Sequence, residues 1–197
     1  MAKFSKNEGI VKVLDFFEIN NTAYIVMEYL EGITLKQYIR ENQRITLEEL
    51  VRLLVPLIES LDEIHSQGMI HRDISPDNIM VLPDGRIKLM DFGAARDYTE
   101  FGEKSLSIVL KPGYAPPEQY QTHGVQGPWT DIYALCATMY KCITGENPPD
   151  AIERVMDDSL KKDIRIWHRH SNAGRGGYYK GNECVCARQV SEYQRFL

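Results

Sequence analysis

Three residues in the first half of the chain join suitable chemistry to suitable spacing. Asp73 and Asn78 lie five positions apart in the run His71-Arg72-Asp73-Ile74-Ser75-Pro76-Asp77-Asn78, and Asp91 follows Asp73 by 18 residues, opening Asp91-Phe92-Gly93. Two carboxylates and an amide supply hard oxygen ligands of the kind Mg²⁺ takes alongside phosphate oxygens. A carboxylate brought to the same place could also orient a hydroxyl nucleophile. Read alone, each run is an ordinary turn sequence. Their order, with Asn78 between them and Ala115-Pro116-Pro117-Glu118 further on, argues against that plain reading.

Such a trio needs a helix to lead into Asp73 and a strand to lead into Asp91. The helix is legible. Thr46 and Glu49 form the capping-box pattern, in which each side chain satisfies the other residue's orphan N–H. Leu47, Leu50, Val51, Leu54, Leu57, Ile58, Leu61 and Ile64 then keep the helical period, which predicts one broad buried stripe. Pro56 should bend this helix and Gly68 should stop it. Residues 79–82 and 86–90 flank Pro83-Asp84-Gly85, a hairpin signal that delivers Asp91 at its end. Upstream, 11–17 and 23–28 read as two strands separated by Asn20-Asn21, Gly32 breaks the pattern, and 34–40 reads as a short helix. Residues 94–118 are loop-like, and 129–144 read as a second buried helix ended by Gly145 and Pro148-Pro149. Beyond about residue 163 the periodicity stops, and there are no internal repeats. The order is an α+β arrangement dominated by helix.

Composition narrows the class. The chain has 197 residues, 43% of them apolar, enough for one domain with a real core. A net charge of −5 gives no reason to expect nucleic acid or a membrane surface as partner. The charge is unevenly placed: residues 161–197 hold eight Lys/Arg against three acids, +5, which leaves −10 for the first 160. Four cysteines are too few for a disulfide scaffold. No apolar leader opens the chain and no run of 18 apolar residues could span a bilayer, so the expected location is cytoplasmic. His168-x-His170 and Cys184-x-Cys186 have a spacing that fits no dependable zinc pattern.

Together these motifs resemble the eukaryotic-type serine/threonine protein kinases found in bacteria, over roughly residues 4–160. The resemblance implies a protein-kinase-like fold, mainly the helical large lobe with the last two small-lobe strands. It also implies ATP and Mg²⁺ as cofactors and Ser/Thr hydroxyls of proteins as substrates. By resemblance Asp73 is the catalytic base, Asn78 and Asp91 are the metal ligands, and Asp131 braces the catalytic loop, although a helix N-cap is its plain reading. Met27 corresponds to the gatekeeper, backbone groups of Glu28 and Leu30 pair with adenine, and Met80 forms the floor beneath it. For the two methionines core packing is the plain alternative. Arg72 is the arginine that meets a phosphorylated activation loop, here 94–118, where Thr99, Ser105 and Ser107 are the candidate phosphate carriers. Residues 1–33 read as a small-lobe remnant and hinge, 34–160 as the large lobe, and 161–197 as an atypical basic tail, frameshifted or disordered.

The chain departs from the family's pattern in ways that bear on activity. Nothing before Glu28 resembles the Gly-x-Gly-x-x-Gly loop or the Val-Ala-x-Lys strand. The expectation is therefore a fragment inactive on its own, since phosphoryl transfer depends on positioning and charge stabilisation. The family's lysine two residues after the catalytic aspartate is Ser75 here, and the threonine three residues before the tyrosine of Gly-x-x-Tyr is Lys111. Those positions meet in the family's fold, so Lys111 is expected to supply the charge that Ser75 does not. The competing readings are a pseudokinase that only binds partners, and a non-functional gene remnant.

Overall fold

The computed structural model describes residues 8–43, 45–91, 96–97, 110–157 and 160. The tail 161–197, Phe92 and Gly93, and Thr99, Ser105 and Ser107 lie outside the described residues.

The chain opens on an antiparallel hairpin of β1 (Val13–Ile19) and β2 (Thr22–Met27), with Phe16 opposite Ile25 and Phe17 opposite Tyr24. Its turn is Asn20-Asn21, at φ 52° and 58°. Asparagine tolerates this left-handed conformation, and a tight two-residue hairpin requires it. The hairpin is tied to the rest through its leading residues: Val11 N donates to Leu89 O at 2.9 Å and Leu89 N donates to Gly9 O at 2.8 Å. Gly9 sits so close to the long helix that a Cβ there would lie 2.7 Å from the Pro56 carbonyl oxygen. Only glycine fits.

Both faces of the hairpin are open. Leu14 is 64% exposed, Phe16 57%, Ile19 54% and Tyr29, just beyond it, 87%. A contiguous apolar surface on a two-stranded ribbon is an association hazard. This 197-residue chain is expected to self-associate at micromolar concentration and to enhance the fluorescence of an apolar-surface dye without denaturant. A monodisperse monomer with no dye response would contradict that.

A short β3 (Ile33–Thr34) leads into α1 (Leu35–Asn42), whose N-cap Thr34 accepts from Gln37 N at 3.2 Å. The long helix α2 (Leu47–Ser66) starts where Thr46 accepts from Glu49 N at 3.3 Å. Only that half of the expected capping box is present, because the Glu49 carboxylate takes the Tyr38 hydroxyl at 2.5 Å instead. The buried stripe is also narrower than its periodicity suggests. Leu50, Leu54, Leu57, Leu61 and Ile64 are buried, whereas Val51 and Ile58 are each 46% exposed. Gln67 caps the helix and Gly68 turns the chain at φ 78°.

After β4 (Met69–Ile70) comes the loop with Asp73, then a hairpin of β5 (Ile79–Val81) and β6 (Ile87–Leu89) about Gly85 at φ 82°. β3, β5 and β6 form one small sheet, and β4 pairs with β7 (Arg96–Asp97). A 3-10 turn (Pro117–Tyr120) precedes α3 (Pro128–Thr144), which ends on Gly145 at φ 74° with its N–H on Lys141 O. A short α4 (Ala151–Met156) is N-capped by Asp150. The core gathers Leu35 and Ile39 of α1, Leu50, Leu54, Leu57 and Leu61 of α2, Ile79 and Leu89 of the sheet, and Leu135 and Cys142 of α3. Each of those side chains contributes about 1.5–3 kcal/mol on burial. α2 and α3 both pack on β4, the strand that leads into the loop that carries Asp73.

Candidate active site

Asp131, in the first turn of α3, fixes the loop backbone. Its carboxylate is fully buried and accepts from His71 N at 2.8 Å, Arg72 N at 2.7 Å and His65 Nε2 at 2.8 Å. The geometry answers the alternative left open for this residue. Asp131 braces the loop, while the cap position is Gly127, whose N–H donates to Thr130 Oγ1 at 3.2 Å. Arg72 needs that brace, because it holds φ 73°, a left-handed conformation costing a side-chain-bearing residue about 1–3 kcal/mol.

His71 is buried beneath the loop. Its Nε2 lies 2.9 Å from Met90 O and its Nδ1 3.3 Å from Asp73 N. A carbonyl only accepts and an amide N–H only donates, so the ring is neutral with its proton on Nε2. Burial pushes the His71 pKa below its usual 6.5, outweighing the nearby carboxylates of Asp131, Asp73 and Asp91. The unfolded chain then binds the extra proton first, so this stabilisation is whole above about pH 6.5 and is lost as pH falls below it. The urea midpoint is expected to drop between about pH 7 and about pH 5. An unchanged midpoint would show that His71 is not the buried neutral group described.

Asp73 sits at the centre of a three-sided set. Asn78 Nδ2 donates to Asp73 O at 2.7 Å and to Asp73 Oδ2 at 2.8 Å. Lys111 Nζ lies 2.9 Å from Asp73 Oδ1 and 3.1 Å from Oδ2, and it donates to Ser75 Oγ at 3.0 Å. The Lys111–Ser75 contact expected from the departures in the sequence is thus present in the fold. Met90 N donates to Asn78 O at 2.8 Å, so the strand end that precedes Asp91 is pinned beside Asn78. Asp91 is exposed at φ 62°. The described carboxylate, amide oxygen and ammonium groups can grip an oxyanion–cation pair and accept a proton from a hydroxyl.

The hinge candidates form a second group. Glu28 N donates to Lys12 O at 2.9 Å. The Glu28 carboxylate takes Lys12 N at 2.8 Å and the ammonium of Lys88. Burial alone would raise its pKa, but the hydrogen bonds from Lys88 and Lys12 outweigh burial and hold it below the usual carboxylate range. Lys88 lies opposite Met80 across the β5–β6 pair. Met27 is 44% exposed, Leu30 packs partly on the core and Met80 is half-buried.

Residues that spacing did not single out complete the surroundings. Gln119 Nε2 donates to Arg72 O at 2.9 Å, and Arg72 Nε donates to Gln126 Oε1 at 2.7 Å. Glu118, already part of the Ala-Pro-Pro-Glu run, is buried where its carboxylate accepts from Thr130 Oγ1 at 2.9 Å, and burial raises its pKa. Amides and strand-interior lysines have no characteristic spacing. Lys88 alone carried a signal, as a charge between Ile87 and Leu89 in an apolar strand. Among the described residues no helix is long and apolar enough to cross a membrane.

The protein kinase domain model matches residues 1–176. The probable serine/threonine-protein kinase PknB of Lactococcus lactis is 34% identical over 151 residues, 76% of this chain and 24% of its own length. A probable serine/threonine-protein kinase of Clostridium acetobutylicum is 38% identical over 173 residues, 81% of this chain and 26% of its own. The solved structure described as PpkA-294 in its apo form has a TM-score of 0.68 at 39% identity, over 89% of this chain and 60% of that one. The chain spans about a quarter of the length of the curated relatives it matches. Motif order, matched fold and matched sequence agree: the chain belongs to the protein kinase family.

Proposed function

We propose that this chain carries the hydroxyl-activating and metal-holding part of an ATP-dependent protein serine/threonine kinase. The observation that carries the reading is Asp73, with Asn78 Nδ2 and Lys111 Nζ both on its carboxylate. Asp73 orients the substrate hydroxyl and accepts its proton as the γ-phosphoryl leaves ATP. Lys111 stands where negative charge builds on the transferring group. With its amide nitrogen committed to Asp73, Asn78 offers Oδ1, and Asp91 offers an exposed carboxylate. That all-oxygen donor set fits Mg²⁺. When bound, the ion neutralises charge on the phosphates.

On this reading 1–33 supplies small-lobe strands and the hinge, and 34–160 is large lobe. Adenine lies against Met27 and Met80, with its polar edge on backbone groups of Glu28 and Leu30. A phosphate at Thr99, Ser105 or Ser107 would compete with Gln126 for the Arg72 guanidinium.

Calorimetric titration with Mg·ATP tests the nucleotide site. Saturable binding is expected, weakened about 10- to 100-fold by Asp91→Asn, the scale of one lost charged contact. Absence of heat with the unsubstituted chain, while circular dichroism shows it folded, would overturn the reading.

A further inference from the structure

Three of the four loop residues from Arg72 to Ser75 take a contact from one stretch of chain, residues 111–126. The Arg72 carbonyl accepts from Gln119, the Arg72 Nε donates to Gln126, and Asp73 and Ser75 both receive Lys111 Nζ. The stretch is stiff where it carries Lys111. Tyr114 N and Ala115 N both donate to Lys111 O at 3.0 Å, and Gln119 N closes the following turn on Pro116 O at 3.0 Å. Gly113 holds φ 84°, and a Cβ on it would lie 2.5 Å from the Pro148 carbonyl oxygen, so the turn rests directly against residue 148.

A lysine side chain has several free torsions and does not place its own ammonium. The Lys111 side chain is about a third exposed. Its position therefore depends on where its backbone is seated. Among the described residues, the side chains of Gln119 and Gln126 tie the same segment to the loop at Arg72. Ser75, fully buried and short, leaves the space that the ammonium enters.

We infer that Gln119 and Gln126 are positioning residues that seat Lys111 on Asp73, so that the cation beside the transferred phosphoryl arrives with segment 111–126 and not with the loop that holds the base. The inference rests on the reading of the site as an ATP site. Its consequence is that loosening the segment removes the charge while leaving Asp73, Asn78 and Asp91 in place. A cation built into the loop at position 75 would have no such dependence.

An ATP derivative acylated on its γ-phosphate reports the ammonium's position without requiring turnover. A lysine amine beside that phosphate attacks the acyl carbon. The amide C–N bond forms, the acyl C–O bond breaks, ATP departs with the electron pair, and the amine's proton passes to water. Peptide mass spectrometry then locates the acyl group. In the full 197-residue chain with Mg²⁺ the label is expected on Lys111. Gln119→Ala and Gln126→Ala should each reduce it about fivefold, the factor carried by one lost hydrogen bond. Calorimetric Mg·ATP affinity should stay within about twofold of the unsubstituted chain. In the exchange variant Ser75→Lys with Lys111→Thr, the label should move to position 75 and lose its sensitivity to Gln119→Ala.

Labelling of Lys111 that ignores both glutamine substitutions overturns the positioning role. Mg·ATP binding with the label on other lysines overturns this inference alone. Failure to bind Mg·ATP at all overturns the nucleotide site and this inference with it. Equal sensitivity to Gln119→Ala in the exchange variant would reveal general loosening, and it too overturns the assignment.

Discussion

In a protein that joins this chain to a phosphate-covering Gly-rich loop and small-lobe lysine, Asp73→Asn is expected to lower γ-phosphoryl transfer to a Ser/Thr hydroxyl by about 10²- to 10⁴-fold, the range carried by a positioned general base. The substitution is nearly isosteric. Lys111 Nζ can still meet the remaining amide oxygen, and Asp73 O still accepts from Asn78. What disappears is the acceptor for the hydroxyl proton. Asn78 Oδ1 and Asp91 are untouched, so Mg·ATP affinity should change by no more than about threefold, under 1 kcal/mol. Single-turnover transfer followed beside calorimetry separates the two effects. Equal losses in binding and transfer would make Asp73 a nucleotide ligand. A transfer rate within about threefold of that of the same joined protein with Asp73 intact would remove it from the chemistry.

The same loop shows why part of the site was legible in advance. Asp73 and Asn78 are five residues apart in one tight turn, so their meeting is a local event that spacing encodes. Asp91 is delivered by a hairpin whose Gly85 turn is equally local. Lys111 was legible for a different reason: Ser75 left a charge missing, and a lysine stood at the one position the family's fold brings beside it. Gln119 and Gln126 gave no such sign. A side-chain amide serves equally on a solvated surface, and only the seating of 111–126 against 72–75 gives these two a role. The long helix erred in the opposite direction. Periodicity marks which residues share a face but not how wide an arc the neighbours cover, so Val51 and Ile58 were assigned to a core that ends beside them. Glu49 likewise followed the capping pattern until Tyr38, eleven residues earlier, came within reach of its carboxylate.

Asp131 is where these local successes depend on a distant group. Asp131→Ala is expected to cost about 3–5 kcal/mol, among the largest effects of any single change in the described residues. The carboxylate accepts two backbone N–H groups and the His65 ring in a site closed to water. Removing it leaves the His71 and Arg72 amides buried without acceptors, at about 1–3 kcal/mol each. Arg72 would also lose the bonds that hold its unfavourable φ of 73°. Domains of this size have about 5–15 kcal/mol of stability in total, so the variant should be partly unfolded at ambient temperature. Asp131→Asn keeps one acceptor oxygen but turns an N–H₂ toward donors, and it should fall between the two. Urea unfolding orders the three proteins, and amide exchange at His71 and Arg72 localises the change. An alanine variant within about 1 kcal/mol of the unsubstituted chain would mean that the loop holds its own shape. Protection kept at those two amides would place the brace elsewhere. Because Asp73 follows directly on the braced pair, the contacts of Lys111 and Asn78 on its carboxylate should be lost in the alanine variant even where circular dichroism still reports α2 and α3.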